Sequence, residues 1–161
     1  TRLVLPVMNT TGIAQLSLSF RHMLDDYGAG ATLRIQSSSN GTDWTNEAWS
    51  LATAGNTNIG PAIVNTTISS NLNQPTTWVA FTVTGNLYQY DYWYIDDVTV
   101  NVAAYLSYEI TTASNPVAGG NTSGGGTYNY GSQASVTAIP ATGYEFTAWS
   151  ENGSQVSTEN P

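Results

Sequence analysis

The sequence predicts an all-β protein whose larger part is an antiparallel β-sandwich. Three observations carry that expectation. Apolar and polar residues alternate with period two in nearly every patterned stretch. No stretch shows the stripe of a helix, with its repeat of about 3.6 residues. The patterned runs are rich in Thr, Val, Ile, Tyr and Trp, as strands prefer, and turn residues separate them at short intervals.

The elements follow in order. Leu16, Leu18, Phe20, His22 and Leu24 share one parity, while Gln15, Ser17, Ser19 and Arg21 share the other, which predicts a half-buried strand. Leu33 and Ile35 alternate with Thr32, Arg34 and Gln36. Val79, Phe81 and Val83 alternate with Ala80, Thr82 and Thr84. Turn chemistry sits between the runs at Asp25–Asp26–Tyr27–Gly28, Ser39–Asn40–Gly41, Gly55–Asn56 and Thr84–Gly85–Asn86. Composition shifts after Val102. A glycine-dense stretch, Gly119 to Gly126, precedes a patterned strand (Ser135 to Ile139) and an aromatic cluster of Tyr144, Phe146 and Trp149. The glycines read as a hairpin inside a second small β unit, with a flexible linker as the alternative.

Charge and composition narrow the function. Three basic side chains (Arg2, Arg21, Arg34) face eleven acidic ones, and the formal net charge is −8. So few cations cannot neutralise a phosphate backbone or hold an anionic membrane surface, so no nucleic-acid partner is expected. No apolar run approaches the ~18 residues of a membrane span, so no membrane insertion is expected either. With no cysteine there are no disulfides, thiolate nucleophiles or cysteine-ligated metals. Thr, Ser and Asn supply 54 of the 161 residues, so polarity here is mostly neutral. With one histidine and no lysine, binding or structure is favoured over catalysis. Asp43, Glu47, Asp91 and Asp96 could serve hydrolysis, but their spacing singles out no facing pair. No nucleophile elbow and no phosphate-binding glycine loop is present. The chain is therefore expected to be no enzyme. Five Asn-x-Ser/Thr sequons (Asn9, Asn40, Asn65, Asn121, Asn152) matter only in a glycosylating secretory route.

Three groups of residues are candidates for a site. Trp93 and Ile95 have odd parity and Val98 and Val100 even, so if all face the core a β-bulge lies at Asp96–Asp97. A bulge bearing two carboxylates suits a hard cation such as Ca²⁺, which takes several oxygens including carbonyls. Asp25 and Asp26, on a glycine-bounded loop, could join it. The alternative is that these aspartates cap turns and solvate an acidic face. Tyr88, Tyr90, Tyr92 and Tyr94 share a parity, and Trp44, Trp49 and Trp78 lie in or near turns. Trp44, Tyr88, Tyr90 and Tyr92 are the candidates for contact with a glycan; the alternative is cross-strand packing, which is favoured for Trp93 and Trp149. His22, on the apolar face of its strand, reads as a hydrogen-bonded core residue, with a general base beside Asp25 or Asp26 as the functional alternative.

Two stretches resemble known families. The run Tyr90–Asp91–Tyr92–Trp93–Tyr94–Ile95–Asp96–Asp97–Val98–Thr99–Val100 resembles the last strand of jelly-roll modules of the MAM-like, cleaved-adhesin and choice-of-anchor kinds. Leu18 to His22, Leu33 to Trp44 and Thr77 to Phe81 fit that family's earlier strands. This resemblance covers residues 1–102 and implies a jelly roll with a structural Ca²⁺ on an aspartate of the last strand, carried to Asp97 first. From Tyr108 onward, Gly124–Gly125–Gly126–Thr127–Tyr128, Ala138–Ile139–Pro140, Gly143–Tyr144–Glu145–Phe146 and Trp149–Ser150–Glu151–Asn152–Gly153 are similar to the bacterial repeat of the InlB B-repeat kind. That implies a β-grasp-like unit over residues 103–161, expected to be C-terminally incomplete. Together the resemblances imply a module of a large secreted or cell-surface bacterial protein. It would serve adhesion or carbohydrate binding, with a repeat as spacer, a cell-surface or glycan ligand and neighbouring domains of the same long chain as partners. A self-associating stalk or filament segment, and an accessory module of a secreted hydrolase, are the alternatives.

Overall fold

The computed structural model describes residues 1–55 and 58–160. Asn56, in the Gly55–Asn56 turn, and Pro161 lie outside the described residues. The described residues form strands and two short 3₁₀ turns, with no α-helix. The chain divides into two compact units, Thr1–Leu106 and Ser107–Pro161.

The first unit is a β-sandwich of seven strands: β1 (Arg2–Val4), β2 (Ile13–Asp26), β3 (Ala29–Ser38), β4 (Thr45–Ala54), β5 (Ile59–Ile68), β6 (Trp78–Gly85) and β7 (Tyr90–Tyr105). One sheet has the order β1-β6-β3-β4 and the other β5-β2-β7. All pairings within them are antiparallel. β3 and β4 form a hairpin; every other connection crosses from one sheet to the other, so each sheet is assembled from residues distant in sequence.

The period-two pattern places the core. On β2, Leu16, Leu18, Phe20, His22, Leu24 and Asp26 are buried in alternation with more exposed neighbours. Leu16, Leu18 and Phe20 form one core cluster with Ile35 of β3, Ile68 of β5 and Val79 and Phe81 of β6, and Leu33 of β3 is also buried. At the centre Phe20 packs edge-on against Phe81 at 4.9 Å and against Trp49 at 5.3 Å. Trp49 stacks on Trp93 at 6.1 Å. Trp49, expected in or near a turn, lies inside β4 and belongs to this cluster. On β6 the burial is two-sided: Ala80 and Thr82, predicted to face outward, are also buried. Arg2 and Gln36 explain the outer covering, since the Arg2 Nε donates to Gln36 Oε1 at 2.8 Å across that sheet.

β7 is irregular in the way its parity demands. Ser19 pairs with Thr99 and Arg21 with Asp96, so two steps on β2 span three on β7. The extra residue falls at Asp97–Val98, and Asp97 takes a left-handed φ of 50°. Trp93 and Ile95 before the bulge, and Val100 after it, all pack against the core, whereas Val98 remains exposed. A second bulge has no counterpart in the expectation: Leu24 pairs with Trp93 and Asp26 with Tyr90, again two steps against three. Glycine is required at Gly85, where φ is 91° and a Cβ would lie 2.2 Å from the Gly30 carbonyl oxygen.

The second unit contains β8 (Ser107–Ile110), β9 (Gly120–Ser123), β10 (Gly126–Asn129), β11 (Thr137–Pro140), β12 (Trp149–Glu151) and β13 (Ser154–Ser157). They form three two-stranded sheets, β8–β10, β9–β11 and β12–β13. The glycine-dense stretch is not a hairpin of its own. Gly124, with φ of 87° and no room for a Cβ beside the Ser135 carbonyl, separates two strands that pair with different partners. Phe146 and Trp149 pack at 5.4 Å, but no described residue of this unit is fully buried. The composition shift at Val102 lies inside β7, which pairs with β2 as far as Tyr105.

The left-handed backbone at Asp97 gives a first prediction. An ordinary side chain pays roughly 1–2 kcal/mol there, Asp less, and glycine nothing. Asp97→Gly should keep or raise the thermal midpoint, and Asp97→Val should lower it by several degrees, read by thermal denaturation.

Candidate functional site

The four aspartates considered as cation ligands do not share one site. Asp96 lies opposite Arg21 and Asp26 opposite Tyr90 on the same β2–β7 ladder. Five residues of strand, about 16 Å, separate the pairs. No cluster of three or more His, Asp or Glu side chains suited to a metal occurs among the described residues.

Each aspartate has its own role in the geometry. Asp97 is exposed and faces Arg21 at 3.8 Å, an ion pair of exposed side chains that contributes little. Asp96 accepts from the Asp97 backbone N–H at 2.8 Å, bracing the bulge. Asp25 is half-buried. Asp26 is 3% exposed, and its oxygens accept three backbone N–H groups: Gly28 at 3.1 Å, Ala54 at 3.0 Å and Gly55 at 3.3 Å. It therefore ties the end of β2 in one sheet to the end of β4 in the other.

Sequence reasoning missed the matching carboxylate. Glu47, weighed as a hydrolytic candidate, is buried on β4. It accepts from the Ser69 N–H at 3.1 Å, the Ser70 N–H at 3.2 Å and the Ser37 hydroxyl at 2.5 Å. Asn71, in a left-handed conformation, donates to the Ser37 carbonyl at 3.1 Å. The only sequence signal was parity: Glu47 and Trp49 share a face of β4, and Trp49 is core.

The tyrosine row is broken by geometry. Tyr88 sits in the 3₁₀ turn Leu87–Gln89, whose N-cap Asn86 accepts from the Tyr88 N–H at 3.1 Å. Tyr90 pairs with buried Asp26, and the bulge after it puts Tyr92 and Tyr94 on the opposite, outer face. There the rings of Tyr92 and Tyr94 lie 5.7 Å apart. Trp44 is remote from them. It precedes Thr45, which pairs with Ser37, while the Tyr88 turn adjoins Gly30 at the other end of β3, about 20 Å of strand away. The Arg2 guanidinium covers its ring at 4.8 Å.

Tyr90 and Tyr92 do meet in one place. Between the β1 and β6 side of one sheet and β7 of the other lies a cleft of about 390 Å³. Tyr90, Asp91, Tyr92, Trp93 and Tyr94 of β7 line it opposite Leu3 and Phe81. Asp91 is its one charged side chain and accepts from the Tyr27 hydroxyl at 3.2 Å. Burial and the neighbouring Asp91 raise the Tyr27 phenol above its ordinary range, so it stays a neutral donor. The indole N–H of Trp93 is buried without a hydrogen-bond partner. The site can offer flat aromatic surface and one carboxylate to a ligand.

His22 differs from the hydrogen-bonded core histidine expected. Its Nδ1 has no partner, and its ring packs against Phe20 at 5.8 Å and Trp49 at 5.7 Å. Asp26 lies four residues along the same face, beyond Leu24, about 13 Å away, and Asp25 has the opposite parity, so neither aspartate is placed beside His22 as a base partner. Burial lowers the imidazole pKa below its ordinary 6.5.

Two predictions follow from these buried groups. Asp26→Ala removes the side-chain acceptor of the Ala54 and Gly55 N–H groups, while Gly28 keeps the Gln89 carbonyl, and should cost about 2 kcal/mol, lowering the thermal midpoint by roughly 10 °C; Asp97→Asn, which removes the exposed ion pair but keeps a side chain that tolerates left-handed backbone, should cost under about 0.5 kcal/mol. For His22 the unfolded chain takes up the proton first, since its folded pKa is the lower one. Its contribution to stability is complete above pH 6.5 and is lost as pH falls below that value. Thermal melts from pH 7 to 5 should show the loss in the wild type and less of it in His22→Phe.

Comparison with known proteins bears on the second unit. Residues 110–161 match the family described as the divergent InlB B-repeat domain. No curated protein and no solved structure matches the chain. The final stretch of the chain is thus similar to InlB B-repeat domains, over the residues whose glycine and aromatic spacing carried the resemblance.

Proposed function

We propose that the chain is a non-catalytic module of a secreted or cell-surface bacterial protein, in which the sandwich binds a neutral glycan and the repeat acts as a spacer. The observation that carries the binding part is the cleft beside β7. Its rings, Tyr90, Tyr92 and Trp93, offer the flat faces on which sugar rings stack, and Asp91 offers an acceptor for hydroxyls. The similarity of residues 110–161 to InlB B-repeat domains supports the extracellular setting and the spacer role. The acidic, lysine-free composition supports a ligand that is neutral rather than anionic.

Titration with a panel of neutral polysaccharides tests this, with tryptophan fluorescence as the readout because Trp93 lines the cleft. At least one member should shift the emission. Tyr92→Ala, an outer-face change, should then weaken that binding by about tenfold, the loss of roughly 1.4 kcal/mol of stacking. Absence of a response to every glycan, or unaltered affinity in the variant, would overturn the proposal.

A further inference from the structure

The sequence holds two Asn–Gly pairs, Asn40–Gly41 and Asn152–Gly153, and the fold treats them oppositely. Asn–Gly is the dipeptide most open to spontaneous loss of the side-chain amide, because glycine leaves its own N–H unhindered. In that reaction the Gly backbone nitrogen attacks the Asn Cγ. The new C–N bond closes a succinimide, the bond from Cγ to the amide nitrogen breaks, and ammonia leaves with the proton from the glycine nitrogen. Water then opens the ring at either carbonyl, giving aspartate or isoaspartate. The net change is amide plus water to acid plus ammonia, with no other reactant. What the protein controls is how easily the backbone leaves its turn so that the nitrogen reaches Cγ.

At Asn40 both ends of the side chain are held. Its Oδ1 accepts from the Ser38 hydroxyl at 3.1 Å, the Thr42 N–H at 2.9 Å and the Asp43 N–H at 2.8 Å. Its Nδ2 donates to Asp43 at 2.7 Å. The turn joins β3 and β4 inside a four-stranded sheet. At Asn152 nothing comparable exists. Its side chain is exposed, and among the described residues no hydrogen bond holds it. Asn152 and Gly153 form the tip between β12 and β13, with left-handed φ values of 50° and 81°. Those strands are three and four residues long, pair only with each other, and slip in register between Trp149 and Ser150. A hairpin of this kind opens at little cost.

We propose that Asn152 is a site of spontaneous deamidation in the folded protein and that Asn40 is protected. Conversion adds a negative charge to a unit with Glu109, Glu145, Glu151 and Glu159 and no lysine or arginine. The isoaspartate product also routes the main chain through an extra methylene at the tip. The pairing of Glu151 with Ser154 across the two-residue turn is then lost. The repeat-like unit therefore carries a chemical clock that loosens its last hairpin with age.

The test is to incubate the whole chain at neutral and mildly alkaline pH and follow both sites by peptide mass spectrometry, with fragmentation that separates aspartate from isoaspartate. Asn152 should convert, with both products present, at least about tenfold faster than Asn40. The Asn40 bonds must be released before its side chain can reach the glycine nitrogen, which slows that site. In denaturant the two rates should converge, since the dipeptide is the same. Equal rates in the folded protein, or a difference that persists in denaturant, would overturn the proposal.

Discussion

Two buried carboxylates hold the sandwich together, and much of the rest follows from them. Every strand connection except the β3–β4 hairpin crosses between sheets, so closure must be enforced at the ends. Asp26, from the β5-β2-β7 sheet, binds the backbone at the end of β4. Glu47, from β4, binds the Ser69–Ser70 backbone just beyond β5. The ties run in opposite directions across the same side of the sandwich. Between them Trp49 is pressed into the ring cluster of Phe20, His22 and Trp93. A buried carboxylate is costly unless it is hydrogen-bonded, and here backbone N–H groups and a hydroxyl supply the donors to both. That assignment removes Asp26 from any ligand set that Asp96 and Asp97 could build.

The bulges of β7 govern the other side of the molecule. One lets Trp93, Ile95 and Val100 all serve the core despite their mismatched parity. The other turns Tyr90 inward and leaves Tyr92 and Tyr94 outside. Without it the tyrosines would form a continuous outer row, and the cleft would lose the ring that Tyr90 contributes. Bulges and the carboxylates of Asp91, Asp96 and Asp97 also interrupt a long edge strand, a common defence against unwanted strand pairing. The architecture of this edge thus links the packing of the core to the surface proposed to bind a ligand.

Much of this was legible in the sequence for a simple reason. Where one face of a strand is buried, a period of two must show. It does from Leu16 to Leu24, and the Asp96–Asp97 bulge was readable because parity changed across it. The second bulge was not, since tyrosines at 90, 92 and 94 are amphipathic and sit on either face without penalty. The carboxylate ties were also hidden. Glu47 and Asp26 look like ordinary strand-end or loop acids, and only the distant backbone groups they bind distinguish them. His22 was placed correctly on the core face, but its lack of a partner depends on neighbours from other strands. In the second unit the glycine spacing revealed the repeat, while the pairing on either side of Gly124 depends on two different partner strands that no local pattern marks.

Asp26 and Glu47 lock backbone that would otherwise be free loop. Amide hydrogen exchange under native conditions reads this at Gly55, Ser69 and Ser70, which lie outside the strands and donate to these carboxylates. Protection of these three amides should approach that of the core strand β2, and should be lost selectively at Gly55 in Asp26→Ala and at Ser69 and Ser70 in Glu47→Ala. Exchange at the rate of exposed loops in the wild-type protein would contradict it.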